Sequence, residues 1–468
     1  MTRNIGRVAG FLIGLFALLT VGMTYWSFVR GPDLTALPNN ARTVLLEQQI
    51  QRGRILDRNG QVLADTRMTP DGAQRVYTYP SLAPVLGYFS AKHGVAGVEA
   101  AFNDDLRGYG GADPMGTLRW RFLHEAPVGR DVSLTLDLKL QQVADNLLGD
   151  RRGAIVLMNN DGEILAMASH PTYDPNRLDE TFAQLSANPA APLLNRATQG
   201  RYPPGSTWKT FTLASALDAG VTRPEQKFDD GAATLNVRGF PIRCNNNPPG
   251  VNSFDLAHAF GYSCNLTFAR LALELGADRT MDYARRFRAD GDLPLEIPVA
   301  KSQIANKDLY DEVLLASTGF GQGELQVTPI EMAMIGATVA NDGKMPTPHL
   351  LKEIKDKAGN VVRAPQTGTL ATPITAQTAQ QVRNIMGVAV TDGYASGARI
   401  PNVQVGGKTG TAETGPNTAP HAWFLAEAPL DKGRRYIVAV IVENGGEGST
   451  VAAPIAQKML AAALQSGD

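Results

Sequence analysis

Residues 202–210 read Tyr-Pro-Pro-Gly-Ser-Thr-Trp-Lys-Thr, or YPPGSTWKT. Pro203 and Pro204 hold the chain extended, and Gly205 lets it turn tightly. Phe211, Leu213, Ala214 and Leu217 then give the following segment a helical apolar face. Ser206 therefore falls at a helix N-terminus, where serine is a favoured cap, and capping is the ordinary reading of an isolated S-x-x-K. The same spacing has a chemical reading. Residues three apart share one face of a helix, so a neutral Lys209 amine can reach the Ser206 hydroxyl and take its proton. Burial and the positive end of the helix dipole both disfavour the ammonium form. Free backbone N–H groups at the helix start can stabilise an oxyanion once the serine attacks a carbonyl.

Two other short stretches change the weight of that reading. Tyr262-Ser-Cys-Asn265 sets a hydroxyl and an amide two apart at the start of another helix. Gly406-Gly-Lys-Thr-Gly-Thr411 sets a cation and two hydroxyls on a strand behind two glycines. Singly, Ser263 reads as an N-cap and Lys408 as a solvated strand lysine. Together, in the order S-x-x-K, S-x-N, K-T-G, they match the triple signature of serine penicillin-recognising enzymes.

With these motifs the chain resembles a class B penicillin-binding protein, a peptidoglycan D,D-transpeptidase. RGRILDRNGQVLA (52–64) and GVEAAFNDDLRG (97–108) resemble that family's non-penicillin-binding module. GAIVLMNNDGEILAMASHPTYDPN (153–176), NRATQGRYPPGSTWKT (195–210), STGFGQGELQVTP (317–329) and GGKTGTAE (406–413) resemble its transpeptidase domain. The short first module and Ser263-Cys264-Asn265 are most similar to the penicillin-binding protein A type. The resemblance implies that Ser206 is the acylated nucleophile and Lys209 its base. Ser263 would relay a proton to the leaving amine, with Lys209 or Lys408 nearby, and Asn265 would hydrogen-bond the donor amide. Lys408, Thr409 and Thr411, with Gly410 between them, would form the carboxylate-binding strand, and the N–H groups of Ser206 and Thr411 the oxyanion hole. It also implies stem peptides of peptidoglycan as substrates, β-lactams as mimics, and a SEDS-type membrane glycosyltransferase as partner. A β-lactamase or β-lactam sensor, a D,D-carboxypeptidase and an inactive wall-synthesis scaffold are the alternatives.

Composition describes a folded protein with 43% hydrophobic and 19% charged residues. The 44 basic and 45 acidic residues leave a formal net charge of −1, so nothing electrostatic calls for a nucleic acid. Val8 to Val29 carries no charge, Arg3 and Arg7 precede it, and Tyr25 and Trp26 lie near its end. This predicts one uncleaved transmembrane anchor over 8–29 with a cytoplasmic tail at 1–7, since a bilayer core takes about 20 apolar residues. A cleaved signal peptide is the rival, but no small-residue cleavage pattern follows the run. There is no HExxH or cysteine–histidine zinc spacing, so no metal or cofactor is expected. The two cysteines, Cys244 and Cys264, read either as a disulfide outside the cytoplasm or as buried thiols.

The rest of the chain divides into a mixed, β-rich first module over 30–150 and a transpeptidase domain over 151–468. Asn59-Gly60 predicts a hairpin between residues 54 and 64, and Asp161-Gly162 another between 153–158 and 163–168. Helices are predicted at 138–148, 206–219 and 265–275, and strands at 132–136, from Val403, at 422–427 and at 436–442. The expected fold is α/β: a mostly antiparallel sheet, gathering chain from both ends of the domain, flanked by helices as in the penicillin-binding, serine β-lactamase-like fold. The glycines of Gly319-Phe-Gly-Gln-Gly323 read as a tight loop near the site, not a phosphate cradle, because no P-loop lysine follows.

Overall fold

The computed structural model describes residues 2–30, 50–70, 72–109, 128–305, 309–431 and 433–466. The parts of the predicted first module at 31–49 and 110–127 lie outside the described residues. Helix α1 (Thr2–Thr24) continues as a π-helical stretch, Tyr25–Arg30, so helix runs through the whole predicted span and changes geometry at its aromatic end. Asn4–Thr24 is long and apolar enough to cross a membrane and is not buried in the fold.

Beyond it come β1 (Ile55–Leu56), β2 (Val62–Thr69), β3 (Gly72–Tyr77) and β4 (Asp131–Leu134). Helix α2 (Leu138–Leu148) follows, capped by the Asp137 carboxylate, then the hairpin β5 (Gly153–Asn159) and β6 (Ile164–His170). The middle of the chain supplies α3 (Lys209–Asp218), α4 (Leu256–Gly261), α5 (Asn265–Leu275) and α6 (Pro329–Ala340). It ends with β7 (Leu351–Lys355), β8 (Val361–Arg363), α7 (Ala376–Thr391), β9 (Gly406–Ala412), β10 (His421–Ala428), β11 (Tyr436–Val442) and α8 (Ala452–Ser466).

Five strands in the order β9-β10-β11-β5-β6, every pair antiparallel, form the sheet that carries the site. All seven residues of β11, YIVAVIV, are buried, as expected of a central strand covered on both faces. Helices α8 and α2 pack on one face and α6 on the other, with α7 against β9. All twelve residues of α6 are buried, which explains a sequence that is apolar but for Glu331 and Thr338. The gathering of 153–170 with 406–442 into one sheet is the predicted arrangement. One strand differs: Val403 makes only an isolated bridge to Ile400, and β9 begins at Gly406. Pairing with β10 starts there, at Gly406 opposite Glu427, so the ladder decides the boundary.

The second large sheet has the order β8-β7-β4-β1-β2-β3 and takes two strands from beyond residue 350. Its organising contact is Glu99, wholly buried, which accepts hydrogen bonds from Arg52 and Arg75 at 2.6 Å each. Burial opposes the charge, yet Arg75 and Arg52 together hold this carboxyl below its usual range. Arg52 and Glu99 lie in the two stretches that resembled the family's first module, and this ion pair is a physical reason for both.

Candidate active site

The extended entry that both prolines were expected to hold ends before Pro204: Tyr202 bridges to Val327 and the Trp423 indole N–H donates to the Pro203 carbonyl at 3.0 Å, but Pro204 already has right-handed helical angles, φ −77° and ψ −14°. Gly205 turns with φ +54° and its N–H donates to Gly321 O. Residues Gly205–Trp208 then form a 3-10 turn before α3 begins at Lys209. Ser206 sits inside that turn, partly exposed, and its side chain caps neither helix. The expected capping role is therefore not what the residue does; the tight turn leaves its hydroxyl free to face Lys209.

Lys209 has no exposed surface, and its Nζ lies 3.0 Å from Ser206 Oγ, 3.0 Å from Ser263 Oγ, 2.7 Å from the Ser263 carbonyl and 2.7 Å from Asn265 Oδ1. Burial, and after it the charge of Lys408, push its ammonium well below the ordinary lysine range. A neutral amine has two N–H donors and one lone pair. The carbonyl and the amide oxygen can only accept, so they take the two protons and leave the lone pair to a hydroxyl.

Lys408, 1% exposed, places its Nζ 3.0 Å from the same Ser263 Oγ and 3.0 Å from Thr409 O. Burial brings its pKa down to about 7. Ser263 thus bridges two lysines whose proton affinities have both been lowered. Its backbone is left-handed, φ +61°, an uncommon state for a side-chain-bearing residue. The predicted N-cap falls one residue later: the Cys264 sulfur, not the Ser263 hydroxyl, accepts from Thr267 N at the start of α5. That shift frees the hydroxyl for the lysines. Cys264 is disulfide-bonded to Cys244, with Cα atoms 4.5 Å apart, which joins the motif to the hairpin Thr234–Val237 and Phe240–Arg243.

Strand β9 lies against the serine turn. A Cβ on Gly410 would come within 2.9 Å of Pro204 O and of the Thr207 methyl, so only glycine allows β9 this close. Thr409 is nearly buried beside Lys408, whereas the Thr411 hydroxyl donates to Glu447 Oε2 at 2.9 Å. Glu447 was not singled out from the sequence; it lies in a polar loop with no motif spacing. The predicted glycine loop does reach the site: Gly321 has φ +84°, and a Cβ there would stand 1.8 Å from Gly205 O. Gly321→Ala is expected to slow Ser206 acylation by about 100-fold by displacing the turn, measurable as a second-order rate constant with a penicillin. All eight of the predicted catalytic and substrate-binding residues fall in this one region, and the described residues contain no cluster suited to a metal.

A serine held against a buried lysine, with a second serine between that lysine and another, defines a histidine-free serine acyl-transfer site. Residues 153–461 match the penicillin-binding protein transpeptidase domain, and 52–132 the penicillin-binding protein A dimerisation domain. The chain belongs to the penicillin-binding protein transpeptidase family. It is 34% identical over 502 residues to the peptidoglycan D,D-transpeptidase PbpA of Mycolicibacterium smegmatis, covering 100% of each chain. It is 34% identical over 504 residues to PbpA of Mycobacterium tuberculosis, covering 99% of each. Its fold matches the ceftriaxone acyl-enzyme complex of M. tuberculosis penicillin-binding protein A with a TM-score of 0.82 and 32% identity, over 90% of this chain and 100% of that one.

Proposed function

We propose that Ser206 carries out D,D-transpeptidation of peptidoglycan stem peptides in cell-wall synthesis, with β-lactams acylating the same hydroxyl. The single observation that carries this assignment of roles is the placement of Lys209 Nζ, buried and 3.0 Å from Ser206 Oγ. Ser206 Oγ attacks the penultimate D-alanine carbonyl and its proton passes to the Lys209 lone pair. The new oxyanion lies between the N–H groups of Ser206 and Thr411. The C–N bond breaks, and the leaving amine of D-alanine receives a proton through Ser263 from Lys209 or Lys408. An amine on a neighbouring strand then attacks the acyl-serine, loses its proton along the same path, and restores Ser206. Asn265 holds the donor amide while its Oδ1 orients Lys209, and Lys408, Thr409 and Thr411 receive the terminal carboxylate.

The chain divides into the tail at 1–7, the anchor at 8–29, a first module at 30–150 and the catalytic domain at 151–468, with the catalytic domain outside the cytoplasm. Helix α1 supports the anchor, and the family matches to 52–132 and 153–461 support the division. A SEDS-type glycosyltransferase is the proposed membrane partner, engaged through the anchor and first module. Full-length protein in detergent, mixed with benzylpenicillin and followed by intact mass, should gain one adduct that maps to Ser206 and persists for many minutes. Rapid loss with turnover would instead assign a β-lactamase, and no adduct would leave only a scaffold.

A further inference from the structure

The Thr411 hydroxyl has one proton, and a carboxylate of the protein itself already holds it. Thr411 Oγ donates to Glu447 Oε2 at 2.9 Å and accepts from Gly448 N at 3.4 Å. Glu447 lies between β11 and α8, and both sides of its backbone are fixed. Its carbonyl accepts from Thr450 N and Val451 N at 3.2 and 3.0 Å. A Cβ on Gly448 would stand 2.2 Å from Gly410 O and 2.4 Å from Trp423 O, so the next residue is seated directly on β9 and β10. The contact is therefore set by the packing of the loop on the sheet, although the carboxylate itself is exposed.

We infer that Glu447 is a specificity-determining residue that occupies the Thr411 end of the anion subsite in the free enzyme and competes with the carboxylate of an incoming donor. This rests on the transpeptidase reading above. One donated hydroxyl proton cannot be shared fully between two carboxylates, and two anions brought to the same hydroxyl repel each other. Lys408 on the same strand is buried and its pKa is brought down to about 7, so near neutrality it offsets that repulsion weakly. An anionic donor must turn Glu447 away before Thr411 can serve it. A donor without a carboxylate meets no such competitor.

The test compares Ser206 acylation by benzylpenicillin and by its neutral methyl ester in full-length wild type, Glu447→Ala and Glu447→Gln. With the acid, Glu447→Ala should raise the second-order rate constant about tenfold, through tighter initial binding and not a faster acylation step. Glu447→Gln, which keeps the acceptor and loses the charge, should give an intermediate gain. With the methyl ester all three proteins should react alike. An unchanged or slower reaction of both variants with the acid, or an equal gain with the ester, would overturn the inference. A wild-type protein that forms no Ser206 adduct would overturn the transpeptidase reading itself.

Discussion

Ser206→Ala should remove the penicillin adduct completely, so that labelling by a fluorescent penicillin falls from about one per chain to none and peptide cross-linking falls by about six orders of magnitude. The size of the effect follows from the site. Lys209 is hydrogen-bonded to Ser206 and Ser263, and Lys408 to Ser263, but only the partly exposed Ser206 hydroxyl presents a nucleophile beside the β9 strand. The lost contact is one hydrogen bond at the edge of the cleft, so the melting temperature should shift by no more than about 1 kcal/mol would produce. If the variant were still labelled, at a new serine, the assignment of the nucleophile would fail. Because the anchor and first module are untouched, Ser206→Ala should also still co-purify with a membrane glycosyltransferase partner.

Lys209→Met should slow acylation by about 10³- to 10⁴-fold while Ser206 remains the residue modified, the loss expected on removing a general base. The pH profile supplies the stronger test. Wild-type acylation should rise as pH passes through the depressed Lys209 pKa, because only the neutral amine accepts the Ser206 proton. It should fall again near pH 7, where burial makes Lys408 lose the proton that anion binding and the relay through Ser263 require. Methionine at 209 should remove the rising limb and leave the fall. Arginine at 408, which keeps its charge, should carry activity to higher pH at some cost in rate. A rising limb that survives in Lys209→Met would assign the base to another group.

Much of the molecule was legible from local chemistry. The Asn59-Gly60 and Asp161-Gly162 turns lie in antiparallel hairpins as expected, with positive φ at Gly60 and Gly162 alone and not at Asn59 or Asp161. Helices α2 and α5 begin and end at the residues that the periodicity and the closing glycines mark. The three motifs carried the site because each packs a residue type and a spacing into a few positions, and such information survives without knowledge of the fold. Two side-chain assignments did not survive. Ser206 and Ser263 both look like caps in sequence, and both have their hydroxyls drawn instead to a buried amine, with Cys264 taking over the cap of α5.

The sequence by itself determined the acyl-transfer chemistry, the apolar N-terminal helix and the antiparallel sheet drawn from both ends of the catalytic region. Those depend on periodicity, turn residues and spacing within short windows. Tertiary structure alone decided that Cys244 meets Cys264, that β7 and β8 cross back to the sheet of β1 to β4, and that Glu447 reaches Thr411 from 36 residues away. It also decided the proton affinities of Lys209 and Lys408. A lysine becomes a base only when other segments exclude water from it, and Phe268 and Phe260, whose rings lie under the two amines, come from helices that no local pattern ties to those lysines.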